Sequence, residues 1–174
     1  MKKNLEAAVA HMLRSEGGFQ NDPRDPGNPN GTSTNLGVTQ RVWEEWVGHP
    51  VDEKEMRSLT PAKVAPMYKK KYWDKVSGDD LPSGVDLAVF DFAVNSGVGR
   101  AAKFLQSEVG AAQDGAIGPM TLAKVAEKNP QKLVASYNAA RLKFLYELPT
   151  WETFRGGWAT RVVELTAEAA IMTK

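Results

Sequence analysis

Three carboxylates near the N-terminus, Glu16, Asp22 and Asp25, stand close to three threonines, Thr32, Thr34 and Thr39, in a stretch crowded with Asn, Gly and Pro. Paired carboxylates are the equipment of glycoside cleavage: one, protonated, donates to the glycosidic oxygen, and the other activates water or steadies an oxocarbenium-like transition state. Stepping about 100° per residue from Leu5, Glu16 falls about 20° round a helix, on the face of Leu5, Val9 and Met12, so an acid is aimed at the core. It also falls in the final turn, where the negative end of the helix dipole disfavours its ionised form. Partial burial acts in the same direction, and both raise the pKa as a general acid requires. An equally available reading leaves Glu16 past the ordered turn and simply solvated. Asp25, between Arg24 and Pro26 with Asp22 nearby, is a candidate second carboxylate, yet Asp-Pro pairs also initiate ordinary surface turns. The threonines fit water positioning or sugar hydroxyls, and equally turn or cap duty.

These residues need elements to hold them, and helical periodicity supplies most of them. Leu5, Ala8, Val9, Met12 and Leu13 follow the i, i+3, i+4, i+7 rule, and Gly17-Gly18 end that helix. Residues 19–38 form a loop of a composition that suits a functional or hairpin-forming excursion. Thr39 caps a helix carrying Val42, Trp43, Trp46 and Val47; Thr60-Pro61 opens the next, which Pro66 should kink. From Ser83, a plausible cap, residues 85–94 are apolar on nearly every face apart from Asp86 and Asp91, the pattern of a helix surrounded by others. Asn95-Ser96-Gly97 stops it. Further helices are expected at 101–109, 119–126, after Asn129-Pro130, and from about Trp158 to the end. The class is all-α (mainly α), without the alternation of a large sheet.

The motifs run in a familiar order. Glu16-Gly17-Gly18-Phe19, Asn21-Asp22-Pro23, Asp25-Pro26-Gly27 and Thr34-Asn35-Leu36-Gly37-Val38-Thr39 resemble the signature of glycoside hydrolase family 108, muramidases with a lysozyme-like fold found in phage lysis cassettes. The resemblance continues through Tyr68, Tyr72-Trp73-Asp74, Asp91 to Gly97, Asp114-Gly115, Ile117-Gly118-Pro119, Phe154, Gly157-Trp158 and Arg161. It implies a lysozyme-like helical domain with a small hairpin after the first helix, Glu16 as catalytic acid and Asp25 as its partner. The catalytic-site threonine lies between Thr32 and Thr34, with Thr34 favoured because it directly precedes Asn35. Asn28-Pro29-Asn30 looks like a short insertion, and Leu36 stands where an aromatic residue is usual. The second half resembles a peptidoglycan-binding module around Asn95-Ser96-Gly97, Leu105-Gln106 and Asp114 to Pro119. At 174 residues both halves, 1–80 and 81–174, are expected in one globule, since a separate module would leave the catalytic part too little apolar surface to bury.

Candidate substrate-binding residues are Asp22, Thr32, Asn35, Tyr72, Trp73, Asp91 and Asn95. Tyr68-Lys69-Lys70-Lys71-Tyr72-Trp73 interleaves aromatics with cations, which suits sugar stacking, while core aromatics under a solvated lysine face are the simpler reading for Tyr68 and Tyr72. Trp43, Trp46 and Trp151 read as core. Asp91, on an apolar helix, must be hydrogen-bonded or near its neutral form, with Asn95 one turn on as a partner and a structural role beneath the cleft. With no cysteine and two histidines, His11 on a helix flank and His49 in a loop, thiol and zinc chemistry are disfavoured, and no metal or cofactor is expected. A net charge of +1, from 22 basic and 21 acidic residues, argues against a nucleic-acid partner. Bacterial peptidoglycan is the expected partner and a monomer the default. No secretory signal or membrane span is legible, so synthesis in the host cytoplasm and holin-type release to the wall are expected.

Overall fold

Among the residues that the computed structural model describes, 2–15, 18–21 and 32–173, helix predominates and the mainly-α expectation holds. Helix α1 (Lys2–Ser15) is followed by a hairpin, β1 (Thr34–Asn35) and β2 (Val38–Thr39), and then by α2 (Gln40–Val47), α3 (Glu53–Arg57) and α4 (Pro61–Tyr68). After short turns come α5 (Val85–Ser96), α6 (Val98–Val109), α7 (Pro119–Ala126), α8 (Pro130–Tyr146) and α9 (Trp151–Met172). No described helix is long and apolar enough to cross a membrane.

The caps read from the sequence are made. Oγ1 of Thr39 accepts from the Val42 amide at 3.4 Å, Oγ1 of Thr60 from Lys63 at 3.3 Å and Oδ1 of Asn129 from Lys132 at 3.0 Å. Each satisfies an amide that the helix leaves without an internal acceptor. Ser83 departs from expectation: α5 starts after Gly84, and the Ser83 hydroxyl accepts from Asn4 Nδ2 at 2.6 Å. Pro66 sits inside α4, and the spiral then widens into a π-helical turn over Lys69–Trp73. Helix α9 begins at Trp151, seven residues before the expected Trp158, and runs through Gly156 and Gly157. His11, read on the flank of α1, is buried at 3% exposure.

Packing divides the chain into two compact units, Val9–Lys69 and Met1–Ala8 with Lys70–Lys174. In the larger unit α5 is the central helix: every residue from Val85 to Ala93 is buried, and it packs on α6, α8 and α9. Around it Phe92 meets Phe104, Tyr137 and Phe144 with ring centroids 5.2, 5.9 and 6.0 Å apart, arrangements worth ~0.5–1.5 kcal/mol per pair beyond the area buried. In the smaller unit Val38, Trp43, Met56, Val64, Met67 and Tyr68 form the core.

Candidate active site

The hairpin is the part of the smaller unit that the described residues build most fully. Strand β1 pairs antiparallel with β2, Thr34 opposite Thr39 and Asn35 opposite Val38. On its other side Thr34 exchanges both backbone bonds with Gln20, at 2.9 and 2.8 Å. The chain four residues beyond Glu16 is thereby pinned to the strand that carries Thr34. Leu36 and Gly37 turn the corner with φ of 51° and 71°, the left-handed pair of a type I′ turn whose twist matches the strands. Three helices hold the hairpin: Asn35 Nδ2 donates to the Met56 carbonyl at 2.8 Å, Tyr68 Oη donates to the Leu36 carbonyl at 3.0 Å, and Thr39 caps α2. The Arg57 guanidinium lies 3.7 Å from the centre of the Phe19 ring.

Alternation along β1 separates two of the expected site residues. Asn35 points inward, buried, with its amide given to Met56, whereas half-buried Thr34 faces the other side with Thr39. Thr32 is half-buried two residues earlier. Glu16, Asp22 and Asp25 lie outside the described residues. Tyr68, read as core, is 2% exposed.

The larger unit holds the remaining expected residues, and it changes the roles of two. Trp73, expected to bind substrate, is completely buried; its ring meets Phe90 edge-on at 5.6 Å and Nε1 donates to Asp79 at 3.2 Å, so it presents no face to a sugar. Neighbouring Tyr72 is half-buried, and burial raises its phenol pKa. Asp91 is also at 0% exposure. It binds Arg141 Nη1 through Oδ2 at 2.7 Å and Arg161 Nη2 through Oδ1 at 2.7 Å. Burial alone would raise its pKa; Arg141 and then Arg161 outweigh that and hold the carboxyl below the ordinary range. Its partners are thus two arginines and not Asn95. With its amide turned to suit, exposed Asn95 instead accepts from Arg161 Nη1 and Nη2 at 3.0 and 2.9 Å. At Asp86 burial prevails, and its pKa is raised despite hydrogen bonds from Asn4, Leu87 and Gly84.

Arg141 is the residue that sequence reading missed. A signal was present: it falls on the buried stripe Leu133, Val134, Tyr137, Asn138, Arg141 and Leu145 of α8, and a cation at such a position implies a buried anion elsewhere. Trp43 is core and bonded to Glu55 at 3.1 Å, while Trp46 and Trp151 are only half-buried. No group of three or more His, Cys, Asp or Glu among the described residues is placed to hold a metal.

The threonine hairpin and Asp91 on the core helix lie within the segment that one family model matches. The family model for Glycosyl hydrolase 108 matches residues 9–97, half of the chain. The chain belongs to glycosyl hydrolase family 108. A second model, described as a "Predicted Peptidoglycan domain", matches residues 100–163 of this family-108 chain, which makes peptidoglycan its partner and the cell wall its place of action. The solved structure of Brucella abortus SagA is similar over 100% of this chain and 98% of its own, with 40% identity and a TM-score of 0.85. No curated protein matches the chain. The two family segments meet between α5 and α6, helices that pack on one another, so that boundary does not coincide with a break in the core.

Proposed function

We propose that this family-108 glycoside hydrolase is an endo-acting muramidase that hydrolyses the β-1,4 bond between N-acetylmuramic acid and N-acetylglucosamine. Glu16 donates its proton to the bridging oxygen as the bond to C1 breaks. A water adds its hydroxyl at C1 and gives up its proton, with Asp25 as base or electrostatic partner and Thr34 assisting. The family match across residues 9–97, which contain all three, carries this reading. One observation supports it: Gln20, four residues after Glu16 in the chain, is backbone-paired with Thr34. The phage endolysin role, with release through a holin-type pore, belongs to the same proposal.

Glu16→Gln tests the assignment, because the amide keeps the shape and cannot donate the proton. The variant is expected to lose wall lysis by about 100-fold or more, with an unchanged melting temperature and undiminished sedimentation with walls. Asp25→Asn should lose comparable activity if the aspartate is a base, and less if it acts electrostatically. A Glu16→Gln protein that lyses at the parent rate overturns the acid assignment. Mass spectrometry of the released muropeptides is expected to show reducing ends carrying one added water. Anhydro ends would mean a lytic transglycosylase, and a parent protein that clears no wall suspension would mean a binding module.

A further inference from the structure

The peptidoglycan domain has an open cleft of about 790 Å³, lined by Arg100, Lys103, Phe104 and Glu108 of α6 and by Asp114 and Gly115 of the loop that follows. It carries both signs of charge, with Arg100, Lys103 and Glu108 on the helix and Asp114 on the loop. Arg100 lies 4.8 Å above the Phe144 ring and spends one donor on the Ser96 carbonyl at 3.2 Å, leaving most of its five N–H groups for a ligand. One turn on, Lys103 is exposed and has no ion pair among the described residues. Its stem passes Gly115, where a Cβ would sit 3.4 Å from Lys103 Cε. Phe104 forms an apolar wall, its ring set against Phe92 and Phe144.

The loop is braced by one buried amide. Gln106, 1% exposed, donates through Nε2 to Asp114 Oδ1, the Ala116 carbonyl and Thr121 Oγ1, at 2.7, 3.0 and 3.2 Å, and its Oε1 accepts from the Gly115 amide at 3.0 Å. Asp114 Oδ1 also accepts from the Ala116 amide at 2.9 Å, and the residue is exposed. Two cations, an apolar side and a carboxylate fixed by Gln106 along one cleft suit a short peptide that carries both carboxylates and an amine.

The geometry points to this cleft as the seat of the peptide stem of peptidoglycan, with a stem carboxylate on Arg100 and Lys103 and a free stem amine on Asp114. The inference rests on peptidoglycan as the partner and goes beyond the glycan cleavage proposed above. Calorimetric titration of the full chain with uncross-linked stem tetrapeptide tests it. Binding is expected, and it should weaken by about tenfold or more in Arg100→Gln/Lys103→Gln, equivalent to the loss of one charge-assisted contact. Both side chains are exposed, so the far-ultraviolet circular dichroism should not move, and the melting temperature should fall only slightly through loss of the Arg100 contacts to Phe144 and Ser96. The stem with its carboxylates esterified should bind the parent as weakly as the free acid binds the double variant. Equal affinities for parent and variant, equal affinities for acid and ester, or no binding to the parent overturn the assignment. Neither readout passes through glycan cleavage: a chain that binds the stem and cuts no glycan sinks the muramidase reading alone, whereas one that cuts peptide-free glycan and ignores the stem sinks this site alone.

Discussion

Asp91 stays charged inside an apolar helix because two guanidiniums surround it, Arg141 at 1% side-chain exposure and Arg161 at 12%. Such an arrangement contributes little over an apolar core of the same volume, but removing one member leaves buried charge without a counter-ion. Asp91→Asn is therefore expected to cost about 3–5 kcal/mol in urea denaturation, far more than exchange of an exposed pair such as Arg57 with Glu53. The same site sets a pH dependence. Its folded pKa lies below that of the unfolded chain, so its stabilisation is complete above about pH 4 and is lost as pH falls through the folded value. The parent melting temperature should drop on acidification below about pH 4, and the Asp91→Asn protein should show a shallower acid limb. Equal slopes would mean that Asp91 is not the group that titrates.

At the scale of elements, the hairpin shows local chemistry and tertiary support pulling differently. A type I′ turn wants Asn-Gly, and here Leu36 occupies the first left-handed position at φ 51°, a conformation that costs an L side chain ~1–2 kcal/mol. The Tyr68 hydroxyl, bonded to the Leu36 carbonyl from α4, holds the turn in that form. Leu36→Asn should raise stability by about 0.5–1 kcal/mol by thermal melting, since Asn adopts this region readily. A destabilised Leu36→Asn protein would show that apolar contacts of Leu36 outweigh its backbone cost.

For the whole molecule, the larger unit is organised where α5 begins. At Gly84, φ +84°, a Cβ would collide with the Ala169 carbonyl and the Thr173 methyl of the α9 terminus. Backbone cannot retreat as a flexible side chain can, so Gly84→Ala should cost about 2 kcal/mol or more. Gly110, φ +73° with open space around its Cβ direction, provides the comparison: Gly110→Ala carries the backbone strain alone. Equal losses in the two melting curves would show that close approach to α9 does not limit this position. With a net charge of only +1, long-range attraction offers little hold on the wall, and affinity must come from local sites.

Much of the helical layout was readable without coordinates. Thr39, Thr60 and Asn129 announce helix starts because a cap bond closes within three residues, and the apolar run of α5 announces a buried helix because burial on all faces leaves no polar stripe. The start of α9 was hidden, since Gly156-Gly157 lowers helix propensity; there Trp151, Phe154 and Trp158, at helical spacing, group their rings 5.4 to 6.4 Å apart. Trp73 could be nominated by type but not assigned between surface and interior, and Asp91 could be read as buried but not given its partners. Asp91 finds Arg141 fifty residues away and Leu36 finds Tyr68 thirty-two away. Local periodicity carries no information over such separations, so which polar groups meet in the core is decided only when the helices pack.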